Sequence, residues 1–194
     1  LSSKSHWDVP IRVAGQRLHI YASHPTPPVF DGPEDLNGRR NHDEIMFWVR
    51  YLEGEALTDD QGREVTRRPT PFVVLGDLNA DPFDGDGRHT AIRTLLSHPM
   101  VQDPGQESAG AATADQNGAN ASQKGPPAQD TADWRDTPGP GNLRVDYALP
   151  SADLRVVGNG VFWPAPDDPL HRLIGSGKPA SSDHRLVWVD VTLP

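Results

Sequence analysis

The chain opens with strict alternation of apolar and polar positions. Over residues 8–23, Val9, Ile11 and Val13 lead into a turn at Ala14-Gly15, and Leu18, Ile20 and Ala22 then alternate with His19, Tyr21 and Ser23. A period of two on both sides of a turn predicts a hairpin, whose second strand delivers His24 at its end. The proline-rich run over 24–33 that follows is a shaped loop, because proline fixes φ and removes a backbone donor.

The period then changes. Between residues 39 and 57, Ile45, Trp48, Val49 and Leu52 recur at i, i+3, i+4 and i+7, which predicts a helix with one face for packing on a sheet. A polar loop over 58–71 leads to the continuous apolar run Phe72-Val73-Val74-Leu75, the pattern of a strand covered on both faces, which ends at Gly76-Asp77-Leu78-Asn79. A second helix is predicted over 88–97, with Ile92, Leu95 and Leu96 on one side. Residues 103–142 are rich in Gly, Ala, Gln, Asn and Pro, the composition of a flexible loop or insertion. Regularity returns over 143–149, with Leu143, Val145, Tyr147 and Leu149 on one face and Arg144, Asp146 and Ala148 on the other; 154–161 and 185–193 are further strands. Four or five strands with two helices predict an α+β layered sheet within one domain.

Composition narrows the chemistry. The 194 residues contain no cysteine, which excludes disulfides, zinc-thiolate sites and thiol nucleophiles, so any metal site uses oxygen and imidazole. A formal charge of -9 argues against a broad grip on duplex nucleic acid, whose affinity comes mostly from Lys and Arg neutralising phosphates. No run approaches the roughly 20 apolar residues of a membrane span.

Polar groups collect where strands end: His24, Asp77 with Asn79, Asp146, and Asp183 with His184. Residues i and i+2 of an extended chain project to one side, so Asp77 and Asn79 can present a carboxylate and an amide to one point, as a hard cation such as Mg²⁺ requires. An imidazole oriented by a carboxylate exchanges protons near neutral pH, which makes His184 with Asp146 a candidate pair. Solvation of an edge strand accounts equally well for Asp146.

The motifs Ser23-His24-Pro25, Gly76-Asp77-Leu78-Asn79, Arg144-Val145-Asp146-Tyr147 and Ser182-Asp183-His184 occur in the order and approximate spacing of the endonuclease/exonuclease/phosphatase (deoxyribonuclease-I-like) superfamily, and on these residues the chain resembles it. The resemblance covers nearly all of residues 1–194 and is to a bacterial subgroup. It implies a four-layered α/β/β/α sandwich and Mg²⁺- or Mn²⁺-dependent hydrolysis of a phosphodiester or phosphomonoester. By the same resemblance, His184 is the catalytic histidine paired with Asp146, Asp183 contacts the metal, and Asp77 orients or deprotonates the attacking water and binds metal. Asn79 positions phosphate and metal, and His24 binds the scissile phosphate. The family's earlier strand ending in Asn and the next ending in Gln-Glu have no counterpart in 1–194, so the chain reads as the C-terminal portion of one such domain, with N-terminal strands missing.

That reading implies exposed apolar surface, which self-association or an upstream segment would cover. It leaves nucleic acid, phosphoinositide or a small phosphoester as substrate, and leans towards a secreted or periplasmic location. A binding domain that keeps the fold without catalysis is the alternative. Asn37, Arg39 and Arg40 follow the proline loop and are candidates for substrate contact, Arg40 foremost. Asp77 to Gly87 superficially resembles a calcium loop, but Pro82 stands where that loop needs Gly and Arg88 where it needs Glu. His6, His42, His89, His98 and His171 read as structural, and Trp7, Trp48, Trp163 and Trp188 as core; Trp134-Arg135, shortly before Asp146, forms a rim that can meet a leaving group.

Overall fold

A computed structural model of the chain describes residues 3–175 and 182–194. Strands β1 (His6–Val13) and β2 (Gln16–Ser23) form the expected antiparallel hairpin, begun two residues earlier. Its turn residues Ala14 and Gly15 both have positive φ, 50° and 85°, the combination whose twist matches that of paired strands. Helix α1 (Leu36–Leu52) starts three residues before the predicted point and stops sooner, because Gly54 at φ 85° turns the chain back and donates to the Tyr51 carbonyl. The short pair β3 (Leu57–Thr58) and β4 (Glu64–Val65) lies in the loop that leads to β5 (Phe72–Asp77), and α2 (His89–Leu96) follows.

The 103–142 stretch, expected as a flexible loop or insertion, is mostly loop with a few short elements. It carries helix α3 (Ala109–Thr113), capped by Ser108, and the short strands β6 (Ala132–Asp133) and β7 (Asn142–Leu143), which pair with each other. Its few apolar side chains are replaced as organisers by buried amides and hydroxyls: Gln106 donates to the Ala148 carbonyl at 2.6 Å, and Asn120 accepts from the Asn142 amide at 2.7 Å. Strands β8 (Asp146–Pro150), β9 (Arg155–Phe162) and β10 (Leu186–Thr192) complete the chain.

The main sheet runs β1-β2-β5-β8, with β2 and β5 parallel and the other pairs antiparallel; β9 and β10 form a second, two-stranded sheet. Tyr21, Phe72, Val74, Tyr147 and Leu149 face the helices, packing with Ile45, Trp48, Val49 and Leu52 of α1 and Ala91, Ile92 and Leu95 of α2. The opposite face, through Leu18 and Val73, meets Val189 and Val191 of β10. β5 is therefore covered on both sides, as its unbroken apolar run predicts.

The 143–149 run is not one alternating strand with a solvated face. Arg144 is buried between β7 and β8, where its guanidinium bonds the Asp103 carboxylate at 2.9 Å. Trp48 and Trp163 are core residues, but Trp7 is 62% exposed and Trp188 40%. On β1, Trp7 shares a face with Val9, Ile11 and Val13, and all four are exposed. Cross-strand partners point the same way, so this stripe lies on the face where Leu18 and Ile20 pack towards β10, which does not reach as far as β1.

Candidate active site

Strand register brings the polar residues together. β2 and β5 stay paired to Ala22 and Leu75, so His24 and Asp77 emerge side by side, His24 Nε2 lying 3.3 Å from Asp77 Oδ2. The close approach depends on Gly76: a Cβ there, at φ 149°, would stand 2.0 Å from the Ser23 carbonyl oxygen. The last pair of the β5–β8 ladder sets Asp77 directly opposite Asp146. His184 arrives through a bridge to Ala132 just before β10, and its Nδ1 lies 2.9 Å from Asp146 Oδ2. With Nδ1–H donated to the carboxylate, Nε2 faces the shared space, 4.0 Å from Asp77 Oδ2.

Asn79 closes the turn after β5 in a left-handed conformation, φ 49°, which asparagine tolerates. Its backbone N–H donates to Asp77 Oδ1 at 2.8 Å and its amide donates to the Pro25 carbonyl at 3.1 Å, tying the two strand ends together. From α1, buried Asn41 donates to the carbonyls of Thr26 and Leu78 at 3.0 and 2.9 Å, and Glu44 accepts from the Thr26 amide at 2.6 Å. Polar residues at the helical positions facing the strand ends are the signal that could have found these two.

Two carboxylates across one ladder repel. Burial, and then the neighbouring Asp146 charge, push the Asp77 carboxyl above its usual range. The hydrogen bond that His184 donates to Asp146 holds the imidazole pKa above its ordinary value, against the effect of burial. One ligand atom from each of Asp77, Asp146 and His184 lies within 4.8 Å of the others, and a divalent cation would relieve the repulsion between the two carboxylates. The residues present therefore fit a divalent metal.

Two candidates stand apart. Asp183 is exposed and outside that group, its carbonyl accepting from the Asp133 amide, and no hydrogen bond or ion pair joins Arg40 to the site among the described residues. Asn37 is used within the proline loop, donating to the Val29 carbonyl. The five histidines read as structural make local contacts, for example His6 stacked on Phe47 and His89 bonded to the Asp81 carbonyl. Asp81 and Asp84 serve as acceptors for backbone amides rather than as a calcium loop.

Sequence reasoning missed Thr131. Its hydroxyl donates to Asp146 Oδ2 at 2.8 Å and accepts from the Val145 and Asp146 amides at 3.0 Å, while its carbonyl accepts from the Arg185 amide. Three residues on, Trp134 sets its ring edge-on to His184 at 5.3 Å. Both belong to the segment read as a loop, and no apolar period marks them.

A model of the endonuclease/exonuclease/phosphatase family matches residues 6–184. The chain belongs to that family. An endonuclease/exonuclease/phosphatase from Beutenbergia cavernae is similar in fold, with 18% identity and a TM-score of 0.55 over 98% of this chain and 39% of its own. So is the mannosyl-6-phosphatase of Bacteroides thetaiotaomicron, with 15% identity and a TM-score of 0.51 over 93% of this chain and 53% of its own. The chain thus spans about half or less of the length of these two structures. No curated protein matches it. Within the family's deoxyribonuclease-I-like α/β fold, the motif residues of β5, β8 and the approach to β10 meet at one sheet edge. Among the described residues, no helix is long and apolar enough to cross a membrane.

Proposed function

We propose that this chain carries the catalytic edge of a metal-dependent phosphoesterase, hydrolysing a phosphodiester or phosphomonoester. The observation that carries the reading is the convergence of Asp77, Asp146 and His184, with His184 held by Asp146 through Nδ1 and its Nε2 turned to the same space as Asp77. Asp77 and Asp146 would hold Mg²⁺ or Mn²⁺, which would supply charge to polarise the phosphate and stabilise its oxygens.

The chain's own groups supply the rest. His24, 64% exposed beside Asp77, donates to a phosphate oxygen as substrate enters. Asn79 orients Asp77 and fixes the loop that carries His24. Asp77, oriented by the Asn79 amide, is placed to take a proton from the attacking water as its oxygen bonds to phosphorus and the ester P–O bond breaks, the leaving oxygen taking a proton from solvent. Imidazolium at His184, favoured by Asp146, stabilises charge on the phosphate. The charge of -9 weighs against unspecific duplex cleavage.

The test is hydrolysis of a chromogenic phosphodiester and phosphomonoester with Mg²⁺ or Mn²⁺, beside His184→Ala, together with Mn²⁺ binding by electron paramagnetic resonance. Metal-dependent turnover that falls about 10² to 10⁴-fold in the variant supports the reading. Neither turnover nor Mn²⁺ binding, with the fold intact, moves the weight to a binding domain that keeps the fold without catalysis.

A further inference from the structure

A cleft of about 970 Å³ opens beside the candidate site, with Asn79 at one end and Trp134, the residue packed on His184, along its wall. Its volume is at the upper end of small-molecule sites. Four prolines line it, giving rigid apolar surfaces that lose little entropy on binding. Phe30 stands at its edge, 97% exposed and at φ 62°. Positive φ is costly for a bulky residue, and an aromatic ring held outward at that cost gains nothing from the core.

The charges within the cleft select against polyanions. Asp81, Asp84 and Asp86 line it against the single guanidinium of Arg135. Asp81 and Asp84 are already bonded to backbone amides, whereas Asp86 is exposed and free to accept from a hydroxyl. A nucleic-acid strand would bring several phosphates, and a multiply phosphorylated headgroup likewise, into a cleft with three carboxylates. An uncharged ring with an apolar face and hydroxyl edges meets Phe30, Trp134 and the prolines with its face and Asp86 with its edge.

Resting on the phosphoesterase reading, we propose that this cleft is the leaving-group subsite and that the substrate is a phosphorylated carbohydrate, its sugar ring seated between Phe30 and Trp134 while its phosphate lies at Asp77 and His24.

Isothermal titration of the chain with glucose 6-phosphate, glycerol 3-phosphate and myo-inositol trisphosphate, each with Mg²⁺, tests this. Glucose 6-phosphate is expected to bind about tenfold more tightly than glycerol 3-phosphate, and Phe30→Ala and Trp134→Ala to bring it down to that level. Phe30→Ala touches no core contact, so a loss there is not a folding defect. Equal affinity for the cyclic and acyclic esters, tighter binding of the trisphosphate, or no binding of any of them overturns the subsite. If the ring preference holds but Asp77→Asn and omission of Mg²⁺ leave glucose 6-phosphate binding unchanged, the cleft stands and the phosphoesterase reading falls. If chromogenic esters are hydrolysed with Mg²⁺ but Phe30→Ala and Trp134→Ala change nothing, the reverse holds.

Discussion

The β2–β5 edge and the 103–142 segment put groups into the same site by opposite means. On the first side, Asp77 and His24 are carried to the end of two strands whose ladder is locked by Tyr21, Phe72 and Val74 against α1. On the second, Asp146 and His184 are held by Thr131, Ala132 and Trp134, in a segment organised by amides, hydroxyls and the ion pairs of Asp103 with Arg144 and Asp133 with Arg185. Apolar packing is non-directional and tolerates small adjustments, so it fixes where a strand ends. Hydrogen bonds are directional, so they fix how a carboxylate and an imidazole are aimed.

The largest effect that would sharpen this contrast is Phe72→Ala. Removing a fully buried ring from the ladder should lower stability by about 3–5 kcal/mol in urea unfolding; a cost below about 1 kcal/mol would mean that the ladder is not what carries this side. Arg144→Ala should cost about 3 kcal/mol, because it leaves Asp103 without its guanidinium in a largely buried setting. An unchanged unfolding midpoint there would remove the ion pair from the account of the second side.

Thr131→Val is smaller in stability, about 1–3 kcal/mol for amides and a carboxylate that lose a partner, but it should lower turnover about tenfold with little change in KM. If stability falls and turnover does not, Thr131 is structural and the aiming of Asp146 has another source.

Two titrations give the finest test. Burial and then the charges of Asp81 and Asp84 push the Asp130 carboxyl up to about 7. A folded value above the unfolded one means that the native state binds more protons between about pH 4 and pH 7, so stability falls as pH rises through that window. Asp130→Asn should therefore raise the melting temperature at pH 8 and leave it nearly unchanged at pH 3; the opposite order would reverse the sign. For His184, also raised, the stabilisation is fully present below the unfolded value of 6.5 and is lost as pH rises through the folded value. Proton NMR should find its midpoint above 6.5 and Asp146→Asn should bring it down, because that exchange removes the charge facing the ring.

The same contrast explains what the sequence made legible. Periods of two and about 3.6 located β1, β2, α1 and α2, and an unbroken apolar run located β5; all of these but β1 bury an apolar face. The order of the motifs anticipated the meeting of Asp77, Asp146 and His184, while the ladder pairing of Asp77 with Asp146 needed the register. Thr131 and Gln106 left no trace, since a buried hydroxyl or amide has the same letter as a solvated one. Trp7 misled for the converse reason: alternation shows that a strand has an apolar face, and not whether anything in residues 1–194 covers it.

Gly76 sets a limit of another kind. With the Ser23 carbonyl oxygen 2.0 Å from where any Cβ would stand, the spacing between His24 and Asp77 rests on a single hydrogen atom. A lineage or a mutant library seeking new substrates can rewrite the rim at Phe30 and Asp86 in many ways, but position 76 is mutationally closed.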